Sequence, residues 1–536
     1  MSTSYDTASA IPPPATIVPA FASPENTSTS AVSSSHRPAD EEAILNDRDQ
    51  VISTPKGTLN DEEECVVTPQ NVNEEHHAYF RYSYDAIFGI VFRPAFEERL
   101  RQHLESNLPD DPSWLAMRST IYASGCMALL SKDPSVAFED VHRTAWRYFE
   151  NAISVHTELL IAPTGLAGVQ ALALMSYFVE GLGNPALEYT FCSSAVRLAQ
   201  AKGLHRQPAK SWKLPEAEIL HRNWLWWAIY CSDKSIARRS GRPSAIDDEE
   251  ISCEIPSKKV DGSTMDLDFF TYAIRHAQLS SQISHQLLSA KALRFGPTSL
   301  IDRVKNMLQR LEMLQRTLPA HLKIDSAKGN ALSPSAIRYD HIMYLHDAYY
   351  GSLMAIHSLF SYPWIWLLDN MENNVAVQSQ MAASSVALAE AARNIILASR
   401  VLEINPSSPH WLAFSYPMFA LINLFICVLK SPTAPSSNSS LALLDMAAGH
   451  FGHMEFITTS ELSFPFAREA ASLARKVVKA AAQSMSENTD ESSGTINRDV
   501  IPLGLDLEPF GNPNDLDMID LDIESWGVFG FSGEPF

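Results

Sequence analysis

Cysteine is scarce in this chain. Six occur in 536 residues, at positions 65, 126, 192, 231, 253 and 427, and no C-x-x-C pair exists. That spacing excludes a zinc finger, a zinc cluster or a thioredoxin-like centre built from these residues. Thiols so few and far apart suit a reducing compartment, where they serve as small apolar core residues. Strand signals are missing too: no run alternates apolar with polar residues, and no Asn-Gly hairpin turn appears. No G-x-x-x-x-G-K-[ST], G-x-G-x-x-G, G-x-S-x-G or H-E-x-x-H occurs, so phosphate-loop, dinucleotide, serine-hydrolase and metalloprotease chemistry lack their usual scaffolds. His341 and His346 are five apart, off the i, i+4 spacing that shares a metal on one helix face. The four carboxylates at 247–250 point in different directions on any backbone and form no catalytic pair. No cofactor or metal site is expected, and an enzyme finds no support.

Basic charge is also in short supply. Forty-one Lys and Arg stand against 62 Asp and Glu, a formal net charge of −21, which argues against a bare nucleic-acid-binding surface. The imbalance belongs to the ends. Residues 1–75 hold 13 acids and 3 bases, and residues 486–536 hold 12 acids and 1 base, which leaves 76–485 neutral. The N-terminus has neither the basic nor the apolar region of a signal peptide. One uncharged run, Trp411 to Leu429, approaches bilayer length. Ser415, Pro417 and Asn423 lie inside it, so we read it as a core helix rather than a membrane span.

Three segments follow. Residues 1–75 form an acidic Ser/Thr/Pro-rich tail of disordered composition. Residues 76–485 show apolar residues at helical spacing almost throughout, which predicts a large all-α body. Its expected helices include "VAFEDVHRTAWRYFENAISVHTELLI" as one unit, "TGLAGVQALALMSYFVEGLG" capped by Thr164, and "PALEYTFCSSAVRLAQAKGLH" closed by Gly203. "PEAEILHRNWLWWAIYCSDKSIARRSG" carries an apolar stripe at Leu220, Trp224, Trp227 and Cys231, with Arg238 and Arg239 suited to its C-terminal dipole. "SPTAPSSNSS", 431–440, reads as a surface loop. Residues 486–536 interleave acids with Leu516, Met518, Ile519, Leu521, Ile523, Trp526, Phe529 and Phe531. Acidic-hydrophobic alternation of this kind marks a candidate activation segment, whose apolar residues stay solvated until a partner groove captures them.

The run from "AVRLAQAKGLHRQ" through "RRSGRPSAIDDEEISCEIP" resembles the middle homology region of fungal zinc-cluster transcription factors. The points in register are Gly203-Leu204-His205-Arg206, then Trp227, Tyr230 and Asp233, then Gly241-Arg242-Pro243, Ile246, Asp247 and Pro256. The strongest match covers about 195–256, with weaker similarity upstream. The resemblance implies a nuclear transcriptional regulator of a metabolic gene set, with a secondary-metabolite biosynthetic cluster as one form of it. It implies as partners the transcription machinery or a co-activator, met through the acidic tail. Family members usually begin with six zinc-binding cysteines, but here only Cys65 precedes residue 100. DNA targeting is therefore expected through a DNA-binding partner protein, unless the module has been lost from this chain. A second reading from another class is a helical module that binds a metabolite or a partner without an activating role. At the Gly-Arg-Pro corner, Gly241 is expected to stop the tryptophan helix in the left-handed region and Pro243 to fix the exit. Arg242 is expected to hold a helix-end carbonyl or a carboxylate, with Asp247 as the candidate.

Overall fold

The computed structural model describes residues 75–76, 78–79, 88–106, 111–324, 339–362 and 374–490, with side chains through 484. Residues 1–74 and 491–536, which hold most of both acidic ends and all of the candidate activation residues from Leu516 to Phe531, lie outside the described residues. Those that are described form an all-α body of fourteen α-helices without a strand. They are α1 (Arg93–Ser106), α2 (Pro112–Leu130), α3 (Phe138–Ser154), α4 (His156–Ile161), α5 (Leu166–Gly181), α6 (Pro185–Ala201) and α7 (Glu216–Ser240). Then come α8 (Leu267–Ile283), α9 (Pro297–Thr317), α10 (Tyr339–Ser358), α11 (Val375–Ser399), α12 (Tyr416–Lys430), α13 (Ser437–Ile457) and α14 (Phe466–Asp490).

Local chemistry sets many of these ends. Asp111, Asn184 and Asp266 cap α2, α6 and α8 by accepting a backbone N–H three residues on, which satisfies one of the orphan donors of a first turn. Pro112 and Pro185 start their helices at positions where the missing N–H costs nothing. Gly183, Gly203 and Gly241 take φ near +70° just past α5, α6 and α7, a conformation that a Cβ disfavours.

The packing runs from neighbour to neighbour. Helix α2 lies on α3 and α5, α5 on α6, α6 on α7, α7 on α8, α8 on α10, α10 on α11, and α11 on α12, with α13 and α14 closing on α12. One large core links Phe88 on the entering segment to Ala474 on α14, and a smaller one gathers α8, α9 and the C-terminal half of α10 around Val304 and Phe360. Helix α7 is the axis of the larger core. Its residues from Asn223 to Lys234 are buried without interruption, so a four-residue stripe understates a helix covered on every side. Trp411–Ser415 and α12 are likewise enclosed, with Leu421 and Leu424 in the main core. Two described helices, α11 and Trp411–Lys430, are long and apolar enough to cross a membrane by length and composition alone.

Three local expectations change. Thr164 does not cap α5: its hydroxyl turns back to Leu159 O, and Gly165 occupies the cap position. The single helix expected over 136–161 breaks at Val155 into α3 and α4. The 431–440 loop is shorter, because α13 begins at Ser437, which is buried and donates to Ser431 O. Arg238 and Arg239 do lie in the last turn of α7, and both also turn inward, as described next.

Candidate functional site

The residues that carried the resemblance converge on one structure, a clamp that holds the loop leaving α7. On an α-helix, positions i, i+3 and i+4 share a face, so Trp227, Tyr230, Asp233 and Lys234 line up along one side of α7. Each fastens a different point of the returning chain. Asp233 accepts hydrogen bonds from the Ser244 hydroxyl and from Ala245 N (3.1 Å). Lys234 Nζ donates to Ser244 Oγ and to Ile246 O, both at 2.9 Å, and sits 3.0 Å from Asp248 Oδ1. Tyr230 donates to Asp248 Oδ1 (3.0 Å), and Trp227 Nε1 donates to Glu254 O (3.0 Å). Ile246 and Pro256 are buried beneath this layer.

The second motif holds the far end of the same loop. His205 O accepts from both Ser252 N and Cys253 N, and Arg206 pairs with Glu250. Leu204 is buried in the main core, and the His205 ring lies 5.7 Å from that of Trp226. Gln207 completes the clamp, accepting from Glu254 N (3.0 Å) and Asn223 Nδ2 (3.2 Å). Gln207, Asn223, Lys234 and Ser244 were not singled out from the sequence. Lys234 had a legible signal, since a lysine one residue after Asp233 on a tryptophan-rich face is poorly placed to reach water.

Gly241 ends α7 at φ 69°, with no atom near the position a Cβ would take. Arg242 does not pair with Asp247. It donates to Pro185 O (2.9 Å) at the start of α6 and lies over the Tyr189 ring, while Tyr189 donates to Pro243 O. The reason is mechanical. Ser244–Ile246 are pinned across α7 by Asp233 and Lys234, and Asp247 is spent capping the turn at Asp248–Glu250 through Glu249 N (3.0 Å).

The opposite side of the α7 end holds a buried charge cluster. Arg239, on α7, donates to Glu188 Oε1 on α6 (2.7 Å), and both side chains are nearly enclosed. Glu180 on α5 lies beside them and accepts from Trp411 N (2.8 Å). Burial, and then the Glu188 charge, raise the Glu180 carboxyl to about 8, against the opposing pull of Arg239. Burial also raises Glu188, with Arg239 opposing it. Beside the cluster, burial and the Arg239 charge depress His410 to about 4, which keeps its ring neutral. Arg238 donates to Tyr416 OH and covers its ring, joining α7 to α12.

Elsewhere the residues follow core chemistry. Of the five described cysteines, Cys126, Cys192, Cys231 and Cys253 are buried, and burial pushes Cys192 and Cys231 well above the usual thiol range. His341 stacks on Phe269 and His346 contacts Asp347 (2.9 Å), on separate partners. Among the described residues, the one grouping with metal-ligand types close together is Asp266, Asp268 and His321, and Asp266 already caps α8.

Comparison with known proteins adds to this geometry. Residues 77–364, more than half of the chain, match the Fungal specific transcription factor domain. The chain is 27% identical over 402 residues to an ABC-transporter-regulating transcription factor of Aspergillus fumigatus, covering 71% of this chain and 44% of that protein. A protein of the same description from Aspergillus oryzae is 26% identical over 401 residues, with the same coverage. The Fusaridione A cluster transcription factor fsdR of Fusarium heterosporum is 27% identical over 362 residues, 65% of each chain. This chain therefore spans less than half the length of the two Aspergillus relatives. No solved structure matches.

Proposed function

From a chain that belongs to the fungal specific transcription factor domain family, we propose a nuclear regulator that controls transcription of a metabolic gene set. The observation that carries this is the family match over residues 77–364, within which several residues of the resemblance fix the loop between α7 and α8. The relatives are named transcription regulators rather than enzymes, and one is named for a secondary-metabolite cluster. That name supports a biosynthetic gene cluster as the class of target.

Activation is assigned to residues 486–536, whose apolar side chains are spaced by acids and joined by a single basic residue. A co-activator groove would capture them by burying Leu, Ile, Phe and Trp side chains, with the acids keeping the free segment in solution. Promoter contact is assigned to a DNA-binding partner protein or to a module outside this sequence, because the body carries no net positive charge to draw it to phosphate. The test is a fusion of residues 486–536 to a heterologous DNA-binding domain with a reporter gene. Expression well above background is expected, and substitution of Trp526, Phe529 and Phe531 by Ala together should abolish it. Background output from the parent fusion refutes the activation role and leaves the second reading, a helical binding module without one.

A further inference from the structure

Helix α13 turns one face to solvent along its length. Ser439, Ala442, Asp445, Gly449, His453 and Phe456 are all exposed, and their three- and four-residue spacing puts them on one side of the helix. Phe456 is 82% exposed, so its ring forgoes the burial that aromatic side chains favour. Two glycines lie in the same stretch. Glycine inside a helix is less stable than alanine, yet nothing lies within 4 Å of where a Cβ on Gly449 or Gly452 would stand. The packing of this chain on itself therefore calls for neither glycine.

The face is complementary to itself. Two copies of α13 crossed antiparallel, with a two-fold axis at Gly449, oppose residues equally far from that glycine. Ala442 and Phe456, seven residues to either side, then meet, so each exposed ring faces a small side chain. Asp445 and His453, four to either side, pair a carboxylate with an imidazole, and Met446 and Gly452, three to either side, match a long apolar chain with a gap. At the axis Gly449 meets the partner's Gly449, and the absence of side chains there lets the two helices approach closely. An isologous contact makes each of these pairings twice. Asp445 is already steered by its own chain: Arg475 on α14 donates to its Oδ2 at 2.6 Å, and the carboxylate keeps lone pairs for a second donor. The register is specific as well. An axis midway between Gly449 and Gly452 would set the partner's Phe456 against the Asp445 carboxylate and desolvate it.

We propose that the exposed face of α13 is the interface of a homodimer, with a second copy of this chain docked antiparallel about Gly449. The occupant is chosen by the pairing of Asp445 with the partner's His453 and of Ala442 with the partner's Phe456. Twenty-one residues give about 30 Å of helix, a contact at the small end of specific interfaces, so the association is reversible. Assembly is read on the purified chain and stands or fails apart from the regulatory reading.

Sedimentation of the full chain over a concentration series should show a reversible shift from one chain to two. Phe456→Asp and, separately, His453→Glu should each weaken that association roughly tenfold or more, while His453→Arg should retain it. Both positions are exposed, so melting temperatures measured at low concentration should stay near that of the parent. Gly449→Cys places a thiol at the axis, within disulfide reach of its own copy, and should give a linked dimer on mild oxidation that the parent does not. Val386→Cys, 73% exposed on α11, should give none. A full chain that stays monomeric overturns the proposal, and if it dimerises once residues 486–536 are removed, that segment is the occupant of the face. A dimer that neither Phe456→Asp nor His453→Glu weakens overturns the assigned surface. Association lost on removal of residues 486–536 resides in that segment and overturns it as well.

Discussion

Gly241 shows how one residue settles a direction. It is exposed, and nothing lies within 4 Å of where its Cβ would be, so replacing it introduces no clash, only the cost of a left-handed backbone. Gly241→Val should lower stability by about 1–2 kcal/mol in denaturant unfolding, and Gly241→Asn by less. Equal losses would mean that something other than backbone conformation is at work. Glu180 makes a prediction in pH. Its folded carboxyl is raised to about 8 from an ordinary 4.5, so between those values the folded state holds a proton that the unfolded state has released. Stability from this group is therefore lost as pH rises from about 5 to 8. Glu188, Arg239, Arg242 and His410 face the same space, and Glu180→Gln keeps the acceptor for Trp411 N. The melting temperature of E180Q relative to the parent should rise from pH 5 to pH 8, and a difference constant across that range would contradict the assigned proton.

Among the elements, α7 meets neighbours on every side. Gly351 on α10 is where two of those contacts pass: a Cβ there would lie 2.6 Å from Arg238 Nη1 and 2.7 Å from a Tyr416 ring carbon. Gly351→Ala should cost about 1–3 kcal/mol by overpacking, measured by chemical denaturation, although alanine is the better helix former. A neutral or stabilising result would show that α10 and α12 yield easily. The helices themselves were legible in the sequence because a 3.6-residue period survives wherever one face stays wet. Helix α7 was legible as a helix but not as one enclosed on all faces from Asn223 to Lys234, since burial on all faces erases the period. The clamp's motif was visible as a pattern, while its action was not, because Asp233 and Ser244, or Trp227 and Glu254, meet only once the loop has returned. Arg239 was legible as a last-turn charge, while its burial was not, because the carboxylates that enclose it sit on two other helices. The 431–436 turn and the start of α13 were merged because serine-rich sequence favours loops and caps alike.

For the whole molecule, the distribution of charge matters more than its total. A body with no net charge between two acidic ends has no net attraction to phosphate, so a gel-shift with the purified chain should give no salt-sensitive complex with duplex DNA. Retention that falls steeply between 50 and 200 mM salt would reverse that expectation. The regulatory account joins this body to a C-terminal segment composed for partner capture. Its most direct test is transcript profiling after deletion of the gene, with restoration by the full chain and by a chain lacking residues 486–536. The account predicts that a co-regulated set of metabolic genes falls on deletion, recovers with the full chain and stays low without the C-terminal segment. An unchanged transcriptome in the deletion strain would contradict it.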